Sequence, residues 1–500
     1  MAAEALQPSF LATRRGKLTL ALLAAVAFLD FVDASIVNIA LPSIRRELHF
    51  SEQGLQWVPS GYLLTYGGFM LLGGRAADLL GRRRVLVTGT VIIGISSLIG
   101  GFADSEGVLV GARLAQGLGA ALMLPAALSL VTTLFKEGKD RNTALGVWGA
   151  VGGLASAVGV LLGGLLTDGP GWRWVFFVNP LAAVLVLFGI FALISGERQR
   201  ARLADFDLLG AVLATAGMLL LVFTLVKAPD QGWGATRTIL EFGGAFALLG
   251  GFLVNERRNK NPLMPLSIFR VRGLAAADAT QLVAFAGLLA VFFFLTLYMQ
   301  NVLGYSPLQA GAAYLPLTFA VGIAAGVGSQ LMARVGTRPV IVVGALIGSA
   351  GAYLLSRIPV DGSYLPDLLP GLLLFAVGLG AMFVAVATAA NAGVSEDKAG
   401  LAAALLNASQ QVGGALGLAI FSAIATSRIN DLLASHASQA EALTSGFHRA
   451  LLASAIFLAA AALVGLRVNN TRGEDEPETE PRHKARRSLV SQVATEGKEA

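Results

Sequence analysis

The 500-residue sequence contains no cysteine, which excludes disulfide bonds, cysteine-ligated zinc and thiol catalysis. It has four histidines, which lie at helix ends, in loops or in the C-terminal tail, so we predict no metal site and no cofactor. Charged residues make up 14% of the chain, whereas soluble globular proteins have about 25%. The sequence also lacks an HExxH motif, and no histidine neighbours a serine or aspartate within the apolar runs, so we predict that the protein is not an enzyme.

Apolar residues are abundant instead, at 55% of the chain with a mean hydropathy of +0.69. This composition predicts an all-α polytopic membrane protein, because a bilayer core about 30 Å thick is crossed by helices of about 20 apolar residues. We predict fourteen such helices, near residues 18–42, 55–75, 85–103, 107–135, 142–167, 175–195, 207–227, 238–254, 274–301, 309–333, 339–357, 367–393, 399–427 and 447–467.

The distribution of basic residues predicts the orientation of these helices. If both termini are cytoplasmic, 28 of the 37 Lys and Arg residues lie on the cytoplasmic side, eight lie on the opposite side, and Arg113 lies within a span. Such an excess is typical of cytoplasmic loops. It also accounts for the net charge of +6, so we predict a multi-pass protein of the cell membrane and no nucleic-acid partner.

The apolar pattern divides the chain into five parts. We predict a cytoplasmic N-terminus (1–17), an N-terminal six-helix bundle (18–196), an inserted two-helix hairpin (207–254), a C-terminal six-helix bundle (274–467) and a disordered cytoplasmic tail (468–500). The hairpin has few polar residues, so we expect it to lie outside a transport pathway.

A short internal repeat relates the two predicted bundles. Gly81 corresponds to Gly336, and Arg83 corresponds to Arg338, each pair lying just before a new apolar run. This spacing is consistent with duplication of a bundle.

The first predicted span contains two carboxylates, Asp30 and Asp33. A charged side chain at the bilayer centre costs about 2.5–3.5 kcal/mol on insertion scales, so charges there usually have a function. A spacing of three residues puts both on one side of a helix. We predict a proton or cation site that faces a water-filled cavity; the alternative is that one carboxylate is a structural hydrogen-bond partner of a neighbouring helix.

The loop after the second span reads GGRAADLLGRRR over residues 73–84. Its arginines favour the cytoplasmic side, and its glycines permit a tight turn between two helices. We predict that the loop acts as a conformational latch, in which Asp78 pairs with an arginine or approaches a helix N-terminus; the alternative is an ordinary positively charged loop. The predicted latch residues are Gly74, Asp78, Gly81, Arg82 and Arg83.

Four segments in this order resemble motifs of the major facilitator superfamily, and more narrowly of the fourteen-helix drug:proton antiporters of the QacA/EmrB type. They are the first-helix segment 33–42, the loop 73–84, the fourth-helix segment 113–121, and the segment 172–180, which reads WRWVFFVNP. The resemblance implies the major facilitator fold with its helices arranged as 6+2+6.

The fifth-helix motif of these antiporters is only partly matched. Gly159, Gly163 and Gly164 stand at the expected positions, but Val160 replaces the usual proline, which removes a probable kink. We predict that the three glycines pack helices closely.

The resemblance further implies that Arg113 faces a central cavity beside the first helix. Arg113 favours the charged form of a nearby carboxylate, whereas removal from water favours its protonated form. We therefore predict a proton-coupling site made of Asp33, Asp30 and Arg113, with Asp33 as the main site. Asp30 could instead contact the charge of a substrate, and Gln116, one turn from Arg113, can hydrogen-bond to a carboxylate in either state.

Polar residues in the second bundle complete the predicted substrate site, although Asp278 could equally be solvated at the membrane interface. The predicted substrate-binding residues are Asp30, Gln116, Asp278, Gln281, Asn407 and Gln410.

The predicted function is proton-coupled secondary active export of lipophilic, often cationic compounds by alternating access. The alternatives are a dedicated exporter of a single metabolite or antibiotic, an importer, or a passive channel. The predicted partners are small-molecule substrates, protons and the lipid bilayer, and we predict a monomer.

Overall fold

The computed structural model describes residues 10–51, 53–135, 139–196, 207–260, 262–394 and 396–472. These residues form fifteen α-helices. The helices are α1 (Arg14–Leu48), α2 (Trp57–Leu80), α3 (Arg82–Gly101), α4 (Glu106–Leu134), α5 (Lys139–Asp168), α6 (Trp174–Leu193), α7 (Leu208–Gln231), α8 (Thr236–Arg258), α9 (Leu274–Asn301), α10 (Pro307–Ala313), α11 (Leu315–Val335), α12 (Thr337–Leu355), α13 (Leu369–Asn391), α14 (Glu396–Ala434) and α15 (Gln439–Gly465).

Each predicted span coincides with one helix, except that the span 309–333 is divided at Tyr314 into α10 and α11. Twelve helical segments of the described chain are long and apolar enough to cross a membrane, with α10 and α11 counted together. Helices α2 and α5 are not among these twelve as complete helices. The structure is therefore all-helical, and the count of fourteen membrane spans stays a prediction.

The helices pack in the same pattern in the two parts of the chain. Helix α1 packs against α5 and α6, and α3 packs against α4 and α6; likewise α9 packs against α14 and α15, and α12 packs against α13 and α15. A Cβ atom on Gly89 would lie 2.6 Å from the carbonyl oxygen of Gly119, and one on Gly344 would lie 2.7 Å from that of Gly378. These matching contacts support an internal duplication.

The predicted correspondence between Gly81 and Gly336 is visible in the backbone. Each lies between two helices, and their φ angles are 97° and 88°. Side chains other than glycine rarely adopt this conformation, so both turns require glycine.

Two apolar cores hold the helices together, and α1 contributes to both. Its N-terminal part, including Leu23 and Val26, packs with buried residues of α2, α3 and α4. Its C-terminal part, including Ile39 and Ile44, belongs to the core that contains buried residues of α9 and of α11 to α15. The first helix therefore links the two parts of the molecule.

Helices α7 and α8 pack against each other, and α7 also contacts α2 and α14. The contact with α2 is close, because a Cβ atom on Gly68 would lie 2.4 Å from Oγ1 of Thr215. Helix α8 instead exposes large apolar side chains, among them Leu240 and Phe246. The hairpin thus lies against both parts of the molecule through α7 and presents an apolar outer surface through α8.

Val468–Thr471, which we call the C-terminal strap, folds back onto the start of α12. Thr337 and Arg338 exchange five hydrogen bonds with the strap, and asparagine side chains of the strap donate to the carbonyl oxygens of Arg272 and Val335. Within the predicted disordered tail 468–500, these first residues are therefore ordered, and 473–500 lie outside the described residues.

Candidate functional site

Asp33 lies at the centre of a buried polar network that joins three helices. Its Oδ2 atom accepts a hydrogen bond from Nη1 of Arg113 at 2.8 Å, which is also a salt bridge. Its Oδ1 atom accepts from Nε2 of Gln116 at 3.2 Å and from Nδ2 of Asn179. The residue is 3% exposed. Three donors thus converge on the carboxyl group of Asp33.

Arg113 is held on all sides and is 1% exposed. Its Nε atom donates to the carbonyl oxygen of Val58 at 2.9 Å, and its Nη1 atom also donates to Oε1 of Gln116 at 3.1 Å. The guanidinium carbon lies 4.3 Å from the ring centroid of Tyr62, a cation–π contact. These contacts fix the guanidinium toward Asp33.

Asp30 has a different environment from Asp33, although the two are one helical turn apart. Its Oδ1 atom accepts a hydrogen bond from the hydroxyl of Tyr62, and its Oδ2 atom accepts one from the hydroxyl of Tyr66, both at 3.0 Å. Among the described residues it forms no salt bridge. Neutral donors therefore bind the Asp30 carboxyl, whereas a cation binds that of Asp33.

A cavity of about 860 Å³ lies between the two parts of the molecule, with Asp30 and Arg113 in its wall. The size is within the usual range for a small-molecule site. Asp33 does not line this cavity and lies behind it. Most of the wall is apolar or aromatic, and the second part of the chain contributes Phe285, Leu289, Phe292, Phe375, Gln410 and Gln411.

The predicted substrate-binding residues are divided by the structure. Asp30 and Gln410 line the cavity, whereas Gln116 belongs to the Asp33 network, where its Nε2 atom also donates to Oγ of Ser97 at 2.6 Å. Gln281 does not line the cavity but donates to Oε1 of Gln410 at 3.1 Å.

The remaining two candidates lie away from the cavity wall. Asn407 donates to the carbonyl oxygen of Ala403, one turn earlier on α14. Asp278 is 6% exposed, and neither of its carboxylate oxygens has a hydrogen-bond partner in the described part of the chain. The alternative that Asp278 is solvated at the membrane interface does not agree with this burial.

The predicted latch residues lie around the α2–α3 turn. Arg82 donates through Nε to Oγ of Ser129 on α4 at 2.7 Å, and the guanidinium of Arg83 lies 5.0 Å from the ring centroid of Phe191 on α6. Asp78 is exposed, and no salt bridge joins it to another described residue. The turn is thus tied to α4 and α6, and the expected pairing of Asp78 with an arginine is not made here.

The glycines of α5 lie where other helices approach most closely. A Cβ atom on Gly159 would lie 1.9 Å from Oγ of Ser35, and one on Gly163 would lie 2.5 Å from a carbonyl oxygen of α1. One on Gly164 would lie 2.8 Å from Cα of Leu308 on α10. Helix α5 runs without interruption through Val160, in agreement with the absence of a proline.

The two parts of the molecule meet at the end of the bundle where α1 and α9 finish. Nε2 of Gln300 on α9 donates to the carbonyl oxygen of Ile39 on α1 at 2.9 Å. A Cβ atom on Gly311 of α10 would lie 2.5 Å from the carbonyl oxygen of Val160. Together with the contact of Gly164, these interactions join the two parts of the molecule at this end.

Several site residues were not identified from the sequence. Asn179 lies in the segment 172–180, whose role was not assigned, and Tyr62 and Tyr66 are spaced four residues apart, which puts them on one side of α2. Polar side chains inside an apolar span were the available signal. No group of three or more His, Cys, Asp or Glu residues in the described ranges is arranged to hold a metal ion.

Comparison with known proteins places these features in a wider context. The family model of the Major Facilitator Superfamily matches residues 23–418. The chain is 40% identical over 436 residues to the puromycin resistance protein pur8 of Streptomyces alboniger, covering 85% of each chain. It is 38% identical to the cephamycin export protein CmcT of Amycolatopsis lactamdurans, covering 87% of this chain and 89% of that protein.

The fold is also similar to a solved structure. The chain matches a bacterial homolog of the human lysosomal transporter Spinster, in an inward-facing and occupied conformation, with a TM-score of 0.65 and 18% identity. The match covers 91% of this chain and 97% of that one.

Proposed function

We propose that this chain, which belongs to the Major Facilitator Superfamily, is a proton-coupled secondary active exporter of lipophilic, often cationic compounds. It is a multi-pass membrane protein of a transporter family. The observation that carries the proposal is the position of Asp30, a buried carboxyl in the wall of an apolar cavity between the two parts of the molecule. Export is also the activity in the names of relatives that match most of the chain's length.

The proposal includes fourteen membrane spans arranged as 6+2+6, with both termini in the cytoplasm. The helix at each predicted span and the repeated packing pattern support this arrangement. In the orientation given by the basic residues, the end where the contacts of Gln300, Gly164 and Gly311 join the two parts faces away from the cytoplasm, and we propose that these contacts close it. The cavity would then load from the cytoplasmic side, as export requires.

Proton coupling is assigned to Asp30, Asp33 and Arg113, with different roles. Asp33 accepts hydrogen bonds from a guanidinium and two amides, so its oxygens are already occupied by donors and hold Arg113 in place. Asp30 has only hydroxyl donors, so its carboxyl can bind a proton in exchange for a cation in the cavity. We therefore propose that Asp30, and not Asp33, is the group that exchanges a proton for a cation. Asp33 and Arg113 determine the electrostatic environment of Asp30.

A transport cycle follows from this assignment. A lipophilic cation in the cavity is attracted by the Asp30 carboxylate and packs against the aromatic wall. Proton binding to Asp30 from the outer side removes that attraction, and the cation leaves. Exchange of one proton for one monovalent cation moves no net charge across the membrane, so the pH difference drives this cycle and contributes about 1.4 kcal/mol per pH unit.

Export of a single antibiotic is the second candidate, because two similar relatives are named for puromycin and cephamycin. It uses the same site, and only the range of substrates separates the two proposals. A panel of unrelated cations and antibiotics, tested for efflux from cells, distinguishes a broad exporter from a dedicated one.

Reconstituted protein tests the proposed function directly. In sealed proteoliposomes that contain the wild type, addition of ethidium or puromycin should cause release of protons. A proton gradient should drive the substrate to accumulate on the side with the higher proton concentration. Asp30→Asn should abolish the proton release. Substrate movement that is unaffected by the proton gradient, or absent for the whole panel, would contradict proton-coupled export.

A further inference from the structure

A series of polar side chains leads from Asp30 in the first part of the molecule to the second part. The Tyr66 hydroxyl donates to Oδ2 of Asp30 at 3.0 Å, and the Gln411 side chain of α14 lies beside Tyr66 in the cavity wall. Next to Gln411, Gln410 accepts a hydrogen bond from Gln281 on α9 at 3.1 Å. Hydrogen bonds therefore join α1 to α2 and α9 to α14, and the neighbouring glutamines Gln410 and Gln411 lie between these two pairs.

This chain lies where the two parts are in close contact beside the cavity. A Cβ atom on Gly67 of α2 would lie 3.0 Å from Cβ of Gln411 and 3.4 Å from the carbonyl oxygen of Ala408. Tyr66 and Gln411 also line the cavity, so a movement of either side chain changes the surface that a bound molecule contacts. A contact between two parts that must move relative to each other is a suitable place for coupling.

Tyr62 provides an internal comparison, because it binds the other oxygen of the same carboxylate at the same distance of 3.0 Å. Its ring lies beneath Arg113, and within the described residues its recorded polar contacts are all with the first part of the molecule. The two tyrosines are thus equivalent toward Asp30 and differ in what lies beyond them.

We propose that Tyr66 and Gln411 are positioning residues that transmit the protonation state of Asp30 across the α2–α14 contact to the second part of the molecule. The inference rests on the proposed function, because it assumes that Asp30 binds protons during transport. It adds the route by which proton binding changes the contact between the moving parts.

The physical basis is the donor pattern of the tyrosine hydroxyl. When Asp30 is charged, Tyr66 donates to the carboxylate, and its oxygen is then oriented to accept from the Gln411 amide. A hydrogen bond to a charged group is roughly twice as strong as one between neutral groups, and linked hydrogen bonds strengthen one another. When Asp30 binds a proton, the charge that fixes this orientation is lost, and the link from α2 to α14 weakens.

The ionisable groups around Asp30 are consistent with this route. Asp33, Arg113, Tyr62 and Tyr66 act on it, and all of them belong to the first part of the molecule. The neighbouring polar side chains of α14 are the neutral amides Gln410 and Gln411. A protonation signal from Asp30 therefore reaches the second part by hydrogen bonding and not through an ion pair.

Double-mutant cycles in proteoliposomes test the inference, with ethidium and puromycin as substrates. Two quantities are measured: accumulation driven by a proton gradient, and substrate exchange without a gradient, which reports binding and folding. Tyr66→Phe and Gln411→Leu should each lower the ratio of the first to the second by roughly three- to tenfold, the loss expected for one hydrogen bond. The double variant should be no worse than either single variant.

Tyr62→Phe is the matched control, because it removes an equivalent bond to Asp30 without touching α14. Its effect should multiply with that of Gln411→Leu instead of overlapping with it. Gln411→Leu should also shift the pH of half-maximal transport, although Gln411 does not contact Asp30. A purely structural role for Gln411 would leave that pH unchanged.

The outcomes separate the two levels of the argument. If the wild type shows no proton-driven accumulation of either substrate, the proposed function fails. If the wild type is proton-driven, but Tyr66→Phe and Gln411→Leu act independently of each other or Gln411→Leu keeps the wild-type pH profile, then only the coupling role of these residues is refuted.

Discussion

Replacing Asp33 by asparagine should destabilise the protein far more than the same change at Asp30. In Asp33→Asn, the guanidinium of Arg113 stays buried but loses its only anionic partner among the described residues. Breaking a buried ion pair on one side typically costs about 3–5 kcal/mol. In the wild type, one carboxylate oxygen of Asp33 accepts hydrogen bonds from both Gln116 and Asn179. The asparagine that replaces Asp33 has only one oxygen, so it cannot accept from these two amides and from Arg113 through two separate oxygens.

The remaining contacts of Arg113 limit this cost. Its bonds to Val58 and Gln116 and the ring of Tyr62 stay in place. We therefore expect a loss of about 3 kcal/mol in the free energy of unfolding, at the lower end of that range. Asp30→Asn should cost only about 1 kcal/mol, because a tyrosine hydroxyl can accept from an amide as well as donate to it.

Thermal unfolding and denaturant titration of the purified variants in detergent measure these differences. The double variant Asp33→Asn/Arg113→Met should be more stable than Asp33→Asn, since removing both charges leaves no unpaired ion. Its transport should nevertheless stay low. If Asp33→Asn unfolds like the wild type, Asp33 does not hold the charge of Arg113, and the separation of roles between the two aspartates fails.

Three further predictions test helix packing at Gly159 and Gly311 and the hydrogen bonds of the C-terminal strap. Gly159→Leu should lower the free energy of unfolding by about 1–3 kcal/mol through overpacking against Ser35, and Ser35→Gly should restore part of it; a fully stable single variant would contradict the contact. Gly311→Val should hold α10 away from Val160 and raise the passive leak of ethidium into proteoliposomes several-fold, whereas an unchanged leak would show that this end closes elsewhere. Ending the chain before the C-terminal strap should lower the thermal unfolding midpoint, and Asn470→Ala, which loses two of the strap's hydrogen bonds, should fall between that truncation and the wild type.

The helices could be predicted from the sequence because each is an apolar run bounded by charged or turn-forming residues. The division of one span at Tyr314 was not predicted, although Pro316 was an available signal, because a proline has no backbone N–H for a continuous helix and is favoured in the first turn of a new one. The residues that line the cavity could not be predicted either, because apolar residues that face lipid and those that face a cavity have the same composition.

The two aspartates show a similar limit at the candidate site. Their spacing predicts a shared side of α1, and both are buried there. Which of them meets Arg113 depends on the position of α4, and which meets Tyr62 and Tyr66 depends on that of α2. Neither position is encoded in the local pattern of α1. The sequence motif therefore favoured Asp33, whereas Asp30 is the aspartate that lines the cavity.

The C-terminal strap has a consequence for biosynthesis. Its hydrogen bonds to Thr337 join residues more than 130 positions apart, so these polar groups at the start of α12 find their partners only after α13, α14, α15 and the strap have been synthesised. Binding of the strap to α12, and not insertion of α15, is therefore the step that completes this half of the molecule.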